Sequence, residues 1–127
     1  MQGLDTNILV RWLVRDDPVQ AGRVERLLQS GDSFLVPVTV LIELEWVLRL
    51  RYGVPKERFV ELLGNLLEVP VLKLQHEAAI ERALQNYSTL NVDFSDCVHL
   101  GICAESECLP FLTFDKAATR LVGAEFT

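Results

Sequence analysis

The residues best placed to do chemistry are four acids far apart in the chain: Asp5, Glu43, Asp96 and Asp115. One carboxylate alone holds a divalent cation weakly, whereas several converging on one point make a site of hard oxygen ligands. Asp5 follows a very short apolar lead in "MQGLDTNILV" and begins an Asp-Thr-Asn run, so helix capping alone would explain it. A solvated surface charge would likewise explain any single acid of the four. That explanation has to be repeated at each of four matched positions, and a shared acidic site is the simpler reading. Thr6, Asn7 and Thr113 flank two of the acids, where they could hold a carboxylate by hydrogen bonds, meet a phosphate, or act only as cap and turn residues.

The elements that would position these acids follow from periodicity and punctuation. Residues 2 to 5 read as a short strand, and Asn7 to Val14 as a helix closed by "RDD". Asp17 and Pro18 open a second helix to about Gln29. "SFLV" is a second, buried strand with Pro37 as the turn out of it, and Thr39 is the expected cap of the next helix. From Val40 to Tyr52 the helix is apolar nearly all round, which suggests a partner on one side, and Gly53 stops it. Pro55 opens a helix through Leu67, "VLKL" is the third strand, and "HEAAIERALQNY" is amphipathic. "VDFSDCVHLGICAE" is the next helix, with Asp93 as its expected cap and Asp96 in its first turn. "PFLTF" is the fourth strand and "DKAATRLV" the expected closing helix.

Strands alternating with helices through short loops imply an α/β fold with a parallel sheet covered on both faces. Ligands of such sheets gather beyond the carboxyl ends of the strands. Asp5 and Asp115 fall at strand ends, Glu43 lies about one turn into a helix leaving the second strand, and Asp96 begins its own helix, so the four acids can converge.

Composition narrows the class. A chain of 127 residues with 50% hydrophobic content suits one globular domain with a full core. The stretch "FLVPVTVLIELEWVLRL" is broken by Pro37, Glu43, Glu45 and Arg49 and falls short of a membrane span, and no secretory pattern opens the chain, so a cytoplasmic protein is expected. Cys97, Cys103 and Cys108 are odd in number, which argues against a disulfide framework. His99 and Cys103 share a helix face, but no second pair with zinc-finger spacing exists, and His99 is expected to be a satisfied core histidine. Net charge of −6 is a caution against a nucleic-acid partner. It does not exclude one, because an acidic metal site carries negative charge that bound cations reverse locally, and Arg49, Arg51, Lys56 and Arg58 gather in one stretch. Trp12 and Trp46 could stack on bases, but in so small a domain they are expected to fill the core or a partner groove.

Four segments in order, "GLDTNILVR", "VPVTVLIELEWVL", "DFSDCVHLGICAE" and "FLTFDKAATRLVGAE", resemble the PIN domain, and within it the VapC-type toxins of toxin–antitoxin pairs. The resemblance spans the chain and implies a single PIN domain over residues 1–127. The implied fold is a three-layer α/β/α sandwich with a central parallel sheet of four to five strands. It also implies a Mg²⁺- or Mn²⁺-dependent endoribonuclease whose acidic site maps onto Asp5, Glu43, Asp96 and Asp115, with Asp93 as cap or supporting residue. Asp5, Asp96 and Asp115 would be the metal ligands, and Glu43 would orient or deprotonate the attacking water.

The expected partners are an RNA substrate, a second copy of the chain meeting the helices around Val40 to Leu50 and Pro55, and a small cognate antitoxin. The antitoxin's basic C-terminal segment would enter the acidic site. Two other readings compete. A PIN-fold RNA-binding or scaffolding protein without catalysis is disfavoured by the intact quartet of acids. A receiver-type phosphorylation switch is disfavoured because "VLKL" runs into Gln75 and His76 in place of an acceptor aspartate.

Overall fold

The computed structural model describes residues 1–127, which form two compact units, Met1–Gln75 and His76–Thr127. In the first unit the elements run β1 (Gln2–Gly3), α1 (Thr6–Val14), α2 (Pro18–Leu28), β2 (Phe34–Val36), α3 (Val38–Tyr52), α4 (Lys56–Leu67) and β3 (Leu72–Leu74). The three strands pair in parallel in the order β1-β2-β3, with Gly3 opposite Leu35 and Leu35 opposite Lys73. The period-two pattern is visible where β2 buries Phe34 and Val36 and β3 buries Leu72 and Leu74 while exposing Lys73.

Helix starts follow local chemistry. The Asp5 carboxylate accepts from the Thr6 N–H at 2.8 Å, so Asp5 is the N-cap of α1 and lies beyond β1, which is shorter than the expected strand. Asp17 caps α2 through the Gln20 N–H at 3.1 Å, with Pro18 at the first helical position. Thr39 is not the cap of α3. Pro37 occupies that position, Thr39 lies inside the helix, and the Gln75 side chain accepts from the Val38 N–H at 2.9 Å. Proline fixes an extended entry and leaves the first free N–H groups to a partner distant in sequence. Gly53 ends α3 in the left-handed region at φ 61°, which a glycine adopts at little cost.

The apolar wrap of α3 is largely used within the chain: Val40, Leu41, Leu44, Val47 and Leu48 are buried. Glu45 is buried too, and its carboxylate is held by Arg49 one turn on at 2.8 Å.

The second unit contains α5 (Glu77–Thr89), α6 (Phe94–Glu105), β4 (Phe111–Thr113), a 3₁₀ turn (Ala117–Arg120) and β5 (Ala124–Phe126). Helices α5 and α6 approach so closely at Gly101 that an added Cβ would lie 2.6 Å from the Ala79 carbonyl oxygen. Strands β4 and β5 pair in parallel, Phe111 opposite Ala124. All pairing in the chain is therefore parallel, with the five strands divided between sheets of three and two.

The expected closing helix over "DKAATRLV" is instead a single 3₁₀ turn followed by a strand. The three-residue spacing of buried Ala118 and Leu121 suits that turn, Gly123 diverts the chain at φ 102°, and the Phe111 N–H donates to the Gly123 carbonyl at 2.8 Å. Pairing with β4 thus outcompetes continuation of the helix. No helix is long and apolar enough to cross a membrane.

Candidate metal centre and acidic cavity

In the second unit, Asp93, Asp96 and Asp115 each present a carboxylate oxygen, and these oxygens lie within 4.8 Å of one another. Asp96 stands in the first turn of α6. Asp93 holds the N-cap position, but its side chain makes no capping hydrogen bond, so the expected cap is instead a member of the cluster. Asp115 lies two residues beyond β4 and is fixed at both ends. Its N–H donates to the Thr113 hydroxyl at 3.0 Å, and its carboxylate accepts from the Ala117 N–H at 2.9 Å.

The electrostatics agree with the crowding. Burial raises the Asp96 pKa above the ordinary aspartate range, and the neighbouring charges of Asp115 and Asp93 raise it further, while His99 acts in the opposite sense. His99 is exposed, contrary to the expected core position, and its ring lies 6.1 Å from that of Phe111. Its relation to Asp96 was legible only as i, i+3 spacing on one helix. Cys97 is a buried free thiol, Cys103 is partly buried and Cys108 exposed.

The donor set fits a hard divalent cation. Ligand oxygens on opposite sides of a Mg²⁺ ion lie about 4.2 Å apart, twice a bond length of about 2.1 Å, so small side-chain adjustments would suffice. All three donors are hard carboxylate oxygens, so the cluster could coordinate a divalent cation.

In the first unit, Asp5, Thr6, Asn7, Glu43, Trp46, Val47 and Arg51 surround a cavity of about 200 Å³. Thr6 is buried at 3% exposure, and its hydroxyl donates to the Glu43 carboxylate in a short hydrogen bond. Asp5, at the cap of α1, and Glu43, on α3, are thereby brought to one cavity from separate helices.

The two tryptophans differ. The Trp12 indole N–H donates to Glu25 at 3.0 Å, whereas Trp46 is 49% exposed and lines the cavity. Of the clustered basic residues, Arg49 is tied to Glu45, Arg58 pairs with Glu61 at 2.7 Å, and Arg51 lines the cavity.

A parallel α/β architecture and an acidic triad that could coordinate a divalent cation are the features that mark the chain's class. The chain belongs to the PIN domain family, whose profile matches residues 4–123. Over 101 residues, 77% of this chain and 75% of the relative, it is 29% identical to a VapC ribonuclease of Aquifex aeolicus (strain VF5). The acidic triad is consistent with the metal-binding catalytic site of PIN ribonucleases.

Proposed function

We propose that this protein is a Mg²⁺- or Mn²⁺-dependent endoribonuclease, the toxin of a toxin–antitoxin pair, acting as a single PIN domain in the cytoplasm. The observation that carries the reading is the approach of the Asp93, Asp96 and Asp115 carboxylates to within 4.8 Å in a PIN-family chain. A cation bound by those carboxylates supplies charge relief to the phosphate and a more acidic water.

The chain's own residues have separable roles. Asp96 and Asp115 provide ligand oxygens, with Asp93 beside them, and Thr113 with the Ala117 N–H holds Asp115 in one orientation. In the first unit, Asp5 and Glu43 are the further catalytic carboxylates of this reading. The Thr6 hydroxyl orients Glu43 to accept a proton from the attacking water, and Asn7 lies beside it as a donor to phosphate oxygen.

The partners follow from charge and exposed apolar surface. Net charge of −6 and the acidic triad suit a cognate antitoxin whose basic C-terminal segment places Arg or Lys against Asp96 and Asp115. Replacing those basic residues with Ala would restore cleavage with modest loss of binding. A homodimer through the end of α3 and the start of α4 is supported by Leu50, which is 60% exposed. Light scattering over a wide concentration range checks it.

The decisive experiment is cleavage of single-stranded RNA by nuclease-free protein with Mg²⁺, Mn²⁺ or excess EDTA. Activity is expected with either metal and absent in EDTA. Cleavage that persists in EDTA removes the metal mechanism, and binding without cleavage under every condition identifies a non-catalytic RNA-binding protein.

A further inference from the structure

The cavity in the first unit contains two residues that the chemistry so far leaves unused. Glu43, Val47 and Arg51 are spaced i, i+4, i+8 along α3 and form one stripe, with Trp46 beside it. The helical rise separates Glu43 from Arg51 by roughly 12 Å along the axis, so the cavity has an acidic end and a cationic end. We propose that Arg51 and Trp46 form an RNA subsite in which Arg51 engages a backbone phosphate flanking the cleavage point and Trp46 stacks on an unpaired base. The inference rests on the nuclease reading of Asp5 and Glu43.

Three observations carry it. Arg49 is committed to Glu45 and Arg58 to Glu61, whereas Arg51 makes no hydrogen bond or ion pair although it shares a cavity with two carboxylates. Trp46 is half exposed at the cavity wall, while Trp12 has its indole N–H satisfied by Glu25. The lining also includes Asp5, Thr6, Asn7 and Glu43, which is too polar for an apolar helix of another protein and suits a phosphate–sugar chain. In a chain of net charge −6, a phosphate needs a local cation to approach two carboxylates. A planar guanidinium and an aromatic face are the groups that hold single strands without base pairing.

The test uses the full chain, a short single-stranded RNA, and the variants Arg51→Ala, Arg51→Lys, Trp46→Ala and Trp46→Phe, with Arg58→Ala as a basic residue outside the cavity. Steady-state cleavage gives KM and kcat, and fluorescence anisotropy in EDTA gives Kd against salt. Arg51→Ala should raise KM and Kd about tenfold with kcat within about twofold, and lower the log Kd–log salt slope by about 0.7, the contribution of one phosphate contact on a single strand. Arg51→Lys should keep the slope. Trp46→Ala should raise Kd about tenfold and Trp46→Phe much less, as expected for loss of one stacked base. Unchanged Kd and slope in Arg51→Ala, or an equal loss in Arg58→Ala, overturns the proposal. So does a Trp46→Ala variant that dissociates a dimer without altering Kd, which would make this face an interface between copies. If the wild type binds RNA but cleaves none with either metal, the nuclease reading fails while the anisotropy series still decides the subsite.

Discussion

The hydroxyl of buried Thr6 donates to the carboxylate of Glu43, which is 37 residues away in sequence. The contact ties the first turn of α1 to α3 and fixes one carboxylate of the cavity while leaving its exposed side to solvent. A hydrogen bond to a charged group contributes about 1.5–3 kcal/mol, enough to hold a long side chain in one rotamer.

Thr6→Val keeps the shape of the side chain and removes the donor. RNA cleavage should fall by about 10- to 100-fold in kcat, the rate equivalent of that bond, with Thr6→Ser close to wild type. Single-turnover kinetics with circular dichroism on both variants checks this; a fully active Thr6→Val protein would remove Thr6 from the orientation of Glu43.

Metal binding should distinguish the three carboxylates. Asp96→Asn and Asp115→Asn should each abolish detectable Mn²⁺ binding by calorimetry, since each removes a charged ligand. Asp93→Asn should weaken it less, because the Asp93 carboxylate is more exposed than that of Asp96 and, unlike that of Asp115, is fixed by no capping hydrogen bond. A larger loss in Asp93→Asn than in Asp96→Asn would reverse the ranking of these two residues.

The raised pKa of Asp96 has a definite consequence for stability. The native protein binds this proton more tightly than the unfolded chain, so the contribution of Asp96 to stability is present below its unfolded pKa and is lost as pH rises through the native value. In EDTA, the melting temperature of Asp96→Asn should therefore exceed that of wild type at neutral pH, and the gap should close on acidification toward the ordinary aspartate range. Mn²⁺ should raise the wild-type melting temperature at neutral pH and leave the variant unmoved. Melting curves from pH 4 to 8 test the sign, which would be wrong if the gap widened on acidification.

Gly101 holds α6, and with it Asp96, against α5. Gly101→Ala forces a methyl toward the Ala79 carbonyl, where only 2.6 Å is available, and the backbone on both sides must shift. Despite the better helix propensity of alanine, the variant should lose about 1–3 kcal/mol in urea unfolding and bind Mn²⁺ more weakly. Wild-type stability in this variant would show that the helices separate freely.

What the sequence alone determined rests on local periodicity and local chemistry. Alternation in β2 and β3, the Asp5 and Asp17 caps and the Gly53 stop are written within a few residues of where they act. The acids Asp96 and Asp115 were legible for the same reason, since each follows or opens an element whose type is clear from its own pattern. Tertiary structure decided the rest. Asp93 is a good cap by residue type, yet its carboxylate lies with two other acids, one of them brought from beyond β4. His99 and Trp46 sit in helices apolar enough to suggest burial, but the direction each helix turns outward depends on which face its neighbours cover. The final segment has helical propensity, and its parallel pairing with β4, together with the backbone bond from Phe111 to Gly123, makes it a turn and a strand. Propensity acts over one turn of chain, whereas burial and strand pairing are set by residues that meet only after the chain has folded.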